Sequence, residues 1–147
     1  MLVRDRIAEL VTAAVRHAHA TGDLPPFEVP AIEIGRPKDP KHGDYSSTVA
    51  LQAAKLAKMA PLAIAQTLAS HLPASELIAA VEVLPPGFIN FRLSDRWLAS
   101  LVARIEADGA AFGSVDLGHG RTCQVEFISA NPTGPLHIGH ARGAVYG

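Results

Sequence analysis

Apolar residues near the start of the chain recur at intervals of three and four, which is the spacing of one helical face. The stripe comprises Val3, Ile7, Leu10, Val11, Ala14 and Ala18. Gly22 and the pair Pro25-Pro26 follow the stripe, and residues of these types end helices. The pattern therefore predicts an amphipathic helix that begins near Val3 and ends before Gly22.

Three later segments also show a helical pattern. One runs from about residue 51 to about residue 59, and either Asp44 or Ser46 can cap it. The next covers 61–71 and begins with a proline, which suits a first helical turn. The third follows Ser94 as its cap. Its predicted buried face consists of Leu98, Leu101, Val102 and Ile105.

Strands are predicted at 29–34, 79–84, 88–93 and 122–128, and Pro85-Pro86-Gly87 forms the turn between the second and the third. The segment 88–93 alternates most cleanly. One side of it is apolar and points to the core, with Ile89, Phe91 and Leu93. The other side is predicted to be exposed, with Phe88, Asn90 and Arg92.

Glycines concentrate at 108–120, which predicts a linker there. Residues 1–107 before it combine helices and strands into a predicted α+β domain. Residues 121–147 after it supply one strand, one loop and a helix that begins near His137. These three elements are too few to bury a parallel sheet, so we expect 121–147 to be the start of a larger, truncated domain.

Composition narrows the class of protein. The 147 residues carry 13 Lys and Arg against 14 Asp and Glu, and 48% are hydrophobic, which excludes wholesale disorder and a broadly basic surface. No apolar stretch is long enough for a signal peptide or a membrane span, so we expect a cytoplasmic protein without a membrane partner. The single cysteine, Cys123, is predicted to be a small core residue.

Two surfaces are candidates for contact with RNA. The face formed by Phe88, Asn90 and Arg92 offers a ring, an amide and a guanidinium, which suit an unpaired base and its phosphate. Basic residues are densest in one loop, which either supplies phosphate contacts or is simply solvated: Arg36, Lys38, Lys41 and His42. The remaining histidines are predicted to lie on the surface without a constellation: His17, His19, His71 and His119.

The segment 125–140 carries the most informative motif, a predicted strand that leads through a loop into a helix N-terminus. Backbone N–H groups and the helix dipole favour an anion there. His137 and His140 stand three residues apart and can face the same way, so their ring N–H groups can donate to phosphate oxygens. Surface decoration and a metal site are the alternatives for such a pair, and we expect no metal ion.

The string Glu126-Phe-Ile-Ser-Ala-Asn-Pro-Thr-Gly-Pro-Leu-His-Ile-Gly-His140 resembles the signature of class I aminoacyl-tRNA synthetases. Its last four residues occur across that class, and the preceding Glu-Phe-x-Ser-x-Asn is typical of bacterial arginyl-tRNA synthetases. Residues 1–107 resemble the additional N-terminal domain of that family, through His42-Gly-Asp-Tyr-Ser46 and Pro86-Gly-Phe-Ile-Asn-Phe-Arg-Leu93. The likeness covers the whole chain. It implies an N-terminal tRNA-binding domain, followed by the first strand, loop and helix start of a truncated Rossmann-like α/β catalytic domain.

The resemblance implies a role for each signature residue. His137 and His140 are the expected catalytic residues, and together with Gly139 they are expected to bind ATP. Residues expected to bind arginine are Glu126, Ser129, Asn131 and His140. The Glu126 carboxylate suits a guanidinium, although a structural ion pair is the alternative. Many members of the family carry a lysine where this chain has Gly134, and the chain contains no Lys-Met-Ser-Lys segment.

For the N-terminal domain, the resemblance implies that strand 88–93 contacts the D-loop of tRNA(Arg). Asn90 would help to recognise a D-loop base. Phe88, a position that is often Tyr in relatives, would stack on it, and Arg92 would meet a phosphate.

The implied parent activity is ATP-dependent activation of L-arginine and its ligation to tRNA(Arg). ATP would be a substrate, normally with Mg²⁺, and no tightly bound cofactor is expected. We expect the parent to be monomeric, and the chain alone to bind tRNA without catalysis. The alternatives are a non-catalytic RNA-binding module and another nucleotidyltransferase with the His-x-Gly-His motif. The N-terminal domain argues against the second alternative, because those small nucleotidyltransferases do not need it.

Overall fold

The first helix, α1, spans Val3–Thr21, as the apolar stripe predicts. It ends where Gly22 adopts the left-handed conformation, with φ at 80°, a conformation that glycine reaches without a Cβ clash. The computed structural model describes residues 2–114, 118–126, 128, 130–131 and 133–146. They fall into two units, 1–112 and 113–147, and each unit is described by itself.

The rest of the first unit alternates short strands with helices. In chain order the elements are β1 (Ile34–Gly35), a 3₁₀ turn (Pro40–His42), β2 (Tyr45–Ser47), α2 (Val49–Ala57), α3 (Pro61–Ser70), β3 (Ile78–Leu84), β4 (Phe88–Leu93), α4 (Asp95–Asp108) and a second 3₁₀ turn (Gly109–Ala111). The strands form one antiparallel sheet in the order β1-β2-β4-β3. No helix among the described residues is long and apolar enough to cross a bilayer.

One hydrophobic core joins α1, α2 and α3 to the inner face of β4. Phe91 and Ile89 supply that face, and both are fully buried. Many of the helical core residues are alanines, whose small side chains allow the backbones to approach closely: Ala14, Ala18, Ala50, Ala53, Ala57 and Ala65. This arrangement confirms the α+β prediction for the N-terminal part of the chain.

Two local predictions before α2 are wrong. Neither Asp44 nor Ser46 caps this helix, because Tyr45–Ser47 pairs with β4 as strand β2 and α2 begins only at Val49. The Asp44 carboxylate accepts the Leu93 backbone N–H at 2.8 Å instead. Of the predicted strand at 29–34, only Ile34 lies in a strand, β1 (Ile34–Gly35), which pairs with β2.

Helix α4 has the predicted cap but not the predicted burial. The Ser94 hydroxyl accepts the Trp97 N–H at 3.0 Å, which satisfies one of the free donors of the first turn. Its apolar face stays in solvent, with Leu98, Val102 and Ile105 exposed by 44%, 59% and 45%. The prediction of a buried face is therefore wrong, since no described element of this unit covers that side of α4.

In the second unit, helix α5 spans Ile138–Tyr146 and begins directly after His137, as predicted. The described part of the predicted strand at 122–128, residues 122–126 and 128, forms no strand, because a strand needs a partner for its N–H and C=O groups. Cys123 is exposed, so the prediction of a core cysteine is wrong. The Rossmann-like start stays a prediction.

Two of the histidines form a cluster that the sequence analysis missed. The His71 Nε2 lies 2.9 Å from the Asp23 carboxylate, and its Nδ1 lies 3.1 Å from the His17 Nδ1. A carboxylate only accepts, so the Nε2–H of His71 donates to it. These bonds join the end of α3 to the end of α1. His19 is half-buried against Phe27, so the prediction of a surface position is wrong for it.

We predict that Asp23→Asn destabilises the fold at neutral pH and that this loss shrinks in acid. Hydrogen bonds from the Thr21 hydroxyl and then from His71 hold the pKa of Asp23 below its usual value. The stabilisation is present above the unfolded-state pKa and disappears as pH falls through the lowered folded pKa. Thermal unfolding at a series of pH values measures this change, with Glu28→Gln as the matched control at an exposed acid. An equal loss at every pH would contradict the prediction.

Candidate functional site

The segment 42–44 is docked onto the central strand β4, and this docking positions the basic loop. The Asp44 N–H donates to the Phe91 carbonyl at 2.8 Å, and the Asp44 carboxylate accepts from the Leu93 N–H. Gly43 approaches so closely that a Cβ there would lie 2.7 Å from the Phe91 carbonyl oxygen. Only glycine permits this approach. The pair Gly43-Asp44 is thus explained by docking, since Gly43 allows the close contact and Asp44 makes the hydrogen bonds.

A large cavity of about 960 Å³ lies between that loop and the outer face of β4. Its lining includes Phe88 and Asn90 from the strand. It also includes basic residues from the loop and from the start of α1, together with three acidic residues: Arg36, Lys38, His42 and Arg4, and Asp5, Glu33 and Asp39. Part of each predicted surface thus lines one cavity, Phe88 and Asn90 from the strand and Arg36, Lys38 and His42 from the loop, whereas Arg92 lines a smaller neighbouring cavity. The volume lies at the upper end of the usual range for ligand clefts, about 300–1,000 Å³.

Asn90 is less exposed than the strand pattern predicts. Only 4% of it is accessible, because β4 is an inner strand and its neighbours β2 and β3 flank the residue on both sides. The expectation of an open face is therefore wrong at this residue. Asn90 nevertheless lines both the large cavity and a small one of about 190 Å³. None of the described residues hydrogen-bonds with its carboxamide, whose polar atoms remain open to a ligand.

The cations of this site differ in how firmly they are held. The Arg92 guanidinium donates to the Lys41 carbonyl at 3.1 Å, which fixes it beside the loop while its other N–H groups stay available. Arg36 lies over the Tyr45 ring, 5.5 Å from its centroid. Lys41 is paired with Asp39 at 2.8 Å, so its charge is partly neutralised.

Asp39 organises the 3₁₀ turn inside the loop. Its side chain accepts the Lys41 backbone N–H at 3.0 Å and so caps the turn. The Lys41 ammonium and then that N–H hold the pKa of Asp39 below its usual value, so the carboxylate stays charged at neutral pH. The loop thereby keeps an internal ion pair and leaves Lys38 at the cavity rim without an ionic partner among the described residues.

Sequence reasoning missed three residues of this site. Ser46 and Glu82 lie directly opposite Asn90 on the two neighbouring strands, and Arg4 reaches the cavity from α1. Glu82 lies within the predicted strand at 79–84, but only the strand order places it beside Asn90. Arg4 carried no local signal, since it belongs to the polar side of an ordinary amphipathic helix.

In the histidine turn of the second unit, both imidazole rings accept hydrogen bonds from backbone N–H groups. The His137 and His140 rings lie 3.9 Å apart between centroids. The His137 N–H donates to the His140 Nδ1, and the Gly139 N–H donates to the His137 Nδ1, each at 3.1 Å. Because both Nδ1 atoms accept, the proton of each neutral ring sits on Nε2. Both rings therefore present an N–H donor, which suits phosphate oxygens.

The packing of the His137 ring against Gly139 explains why this position of the turn is a glycine. A Cβ there would lie 2.9 Å from the His137 ring, so a larger residue would displace the imidazole. Glu126 and Asn131 are exposed, and no hydrogen bond or ion pair among the described residues joins their side chains to the histidines. Ser129 lies outside the described residues. No group of three His, Cys, Asp or Glu among the described residues is placed to hold a metal ion.

Comparison with known proteins assigns the first unit to a family. Residues 4–93 match the family model described as "Arginyl tRNA synthetase N terminal domain". Among curated relatives, the arginine–tRNA ligase of Geobacter metallireducens is 44% identical over 147 residues, covering 99% of this chain and 26% of that protein. That of Listeria welshimeri is 50% identical over 125 residues, covering 84% and 22%. The chain thus spans about a quarter of the length of such relatives.

Solved structures agree on the fold. The arginyl-tRNA synthetase of Plasmodium falciparum superposes with a TM-score of 0.56 at 14% identity, over 67% of this chain and 17% of that one. The Thermus thermophilus arginyl-tRNA synthetase gives a TM-score of 0.55 at 25% identity, over 68% and 15%. The α+β architecture of the first unit is therefore shared with proteins of distant sequence.

Proposed function

We propose, since the chain belongs to the arginyl-tRNA synthetase family, that its first unit binds tRNA(Arg) through the large cavity and the adjoining outer face of β4. The observation that carries this proposal is the junction of Phe88 and Asn90 with a loop of cations in one cavity. A protein with a net charge of −1 has no general attraction for RNA. Binding therefore depends on the cations of this face that have no ionic partner among the described residues, Arg36, Lys38 and Arg92.

The chemistry of the cavity suits a single unpaired nucleotide. The half-buried Phe88 ring offers a stacking surface, which is worth about 1–3 kcal/mol per base. The Asn90 carboxamide has both a donor and an acceptor to offer to a base edge. Arg92, Arg36 and Lys38 surround these groups with charge that suits the backbone phosphates. We infer that the occupant is a base of the tRNA D-loop.

Phe88→Ala and Asn90→Ala are each expected to weaken binding of tRNA(Arg) by about 5–150-fold, because each removes one contact worth about 1–3 kcal/mol. Arg92→Ala should also weaken binding and lower the salt slope by about 1, as loss of one phosphate contact does. Filter binding at several salt concentrations measures both effects.

Arg104→Ala is the matched control, because Arg104 is an exposed arginine on α4 whose described partner is Asp108. Its affinity should equal that of the unchanged chain. If Phe88→Ala, Asn90→Ala and Arg92→Ala all bind tRNA(Arg) as tightly as the unchanged chain, the face does not bind tRNA.

We further propose that the whole protein activates L-arginine with ATP and ligates it to tRNA(Arg). His137 and His140 would donate from Nε2 to the phosphates of ATP as negative charge develops during adenylation. Glu126, Ser129 and Asn131 would hold the arginine, with the Glu126 carboxylate facing the guanidinium. Three apolar residues near this turn are exposed, Val125, Leu136 and Ile138. We therefore propose that the chain by itself binds tRNA without activating arginine.

In the whole enzyme, His140→Ala is expected to reduce arginine-dependent ATP–pyrophosphate exchange by about 100-fold or more, the usual effect of losing one donor to a developing charge. His119→Ala is the control, since His119 is an exposed histidine of the same unit outside the signature. Exchange at the unchanged rate in His140→Ala would remove this residue from the mechanism.

A further inference from the structure

Asn90 lies in a row of polar side chains that crosses the sheet. Ser46 of β2 pairs with Asn90 in the register of one strand pair, and Glu82 of β3 pairs with it in the register of the other. Directly opposite residues of an antiparallel pair share a face, with Cβ atoms about 4.5–5.5 Å apart. The carboxylate of Glu82 therefore belongs to the same outer face as the Asn90 carboxamide.

The Glu82 carboxylate has no ionic partner among the described residues. Arg92, the nearest cation along β4 on this face, donates to the Lys41 carbonyl instead. Glu82, Asn90, Arg92 and His42 all line the small cavity beside the central strand. Asn90 and His42 also line the large cavity, so Asn90 lies between that cavity and Glu82. An unpaired carboxylate on a face that contacts RNA repels phosphate, so its useful partners are hydrogen-bond donors.

We propose that Glu82 is a specificity-determining residue, which accepts a hydrogen bond from the exocyclic amino group of the base that Asn90 contacts. This inference rests on the proposed tRNA-binding function. Adenine, cytosine and guanine carry such an amino group. Uracil has none: it carries carbonyl oxygens at C2 and C4, and its only donor on the base-pairing edge is the ring N3–H. Where the amino group of the other bases would donate to Glu82, uracil places a carbonyl oxygen against a second acceptor, so the carboxylate disfavours uracil in that orientation. The Ser46 hydroxyl and the Asn90 carboxamide tolerate either kind of group, because both of them donate and accept.

A purely structural role would have a different signature. β3 is an edge strand, and a charged side chain on an edge strand discourages pairing with another molecule. If Glu82 only protected the edge strand in this way, its replacement would change tRNA binding equally for all four bases. It would appear as self-association of a Glu82 variant in size-exclusion chromatography, and binding is therefore compared only on monomer fractions.

The experiment uses tRNA(Arg) transcripts in which each D-loop nucleotide is replaced singly by each of the other three. Binding to the unchanged chain and to Asn90→Ala first identifies the position whose base preference depends on Asn90. At that position the unchanged chain should bind amino-bearing bases about tenfold more tightly than uracil, the value of a hydrogen bond to a charged group. Glu82→Gln should bring this ratio close to one, because its amide also donates to a carbonyl.

Glu82→Ala provides a second variant, which removes the carboxylate without adding a donor, and Glu28→Gln is the control for loss of a negative charge elsewhere. A ratio that stays at its original value in both Glu82 variants would overturn the assignment. Equal tightening for all four bases would also overturn it, since that result reports only weaker repulsion of phosphate. If Asn90→Ala changes no base preference at any position, the proposed RNA site itself fails, and the role of Glu82 fails with it.

Discussion

The candidate RNA site depends on the way in which Asp44 is fixed to the central strand. Its backbone N–H donates to the Phe91 carbonyl and its carboxylate accepts from the Leu93 N–H, which ties the chain just before β2 to β4. Gly43 makes this contact possible, because any side chain there would meet the Phe91 carbonyl. The basic loop is therefore held against the strand that carries Asn90, so its cations lie beside the residues that we propose to contact a base.

Local patterns predicted the elements that bury a regular stripe. Helix α1 and helix α3 follow from apolar spacing and from their terminal Gly22 and Pro61, and the two faces of β4 follow from strict alternation. In each case the signal lies within a few residues along the chain. The motif His42-Gly-Asp-Tyr-Ser46, which leads into β2, was recognised by resemblance. Its physical reason, the docking of Gly43 and Asp44 onto β4, becomes visible only in the fold.

The remaining errors arise where distant segments decide the outcome. Asp44 suits a helix cap equally well in sequence, and pairing with β4 decides against it. The burial of Asn90 follows from the position of β4 inside the sheet, and the contact of His17 with His71 joins residues 54 positions apart. The apolar face of α4 looked like a core face because periodicity reports amphipathicity but not which surface covers it.

The central claim is that one surface, made of the basic loop and the outer face of β4, binds tRNA(Arg). The most direct test is an NMR titration of the ¹⁵N-labelled chain with tRNA(Arg), following each backbone amide. We expect shifts or broadening to concentrate at 36–46, at Glu82 and at 88–92, with α4 unaffected. Changes confined to α4 or to residues 118–146, with the loop and β4 silent, would contradict this account.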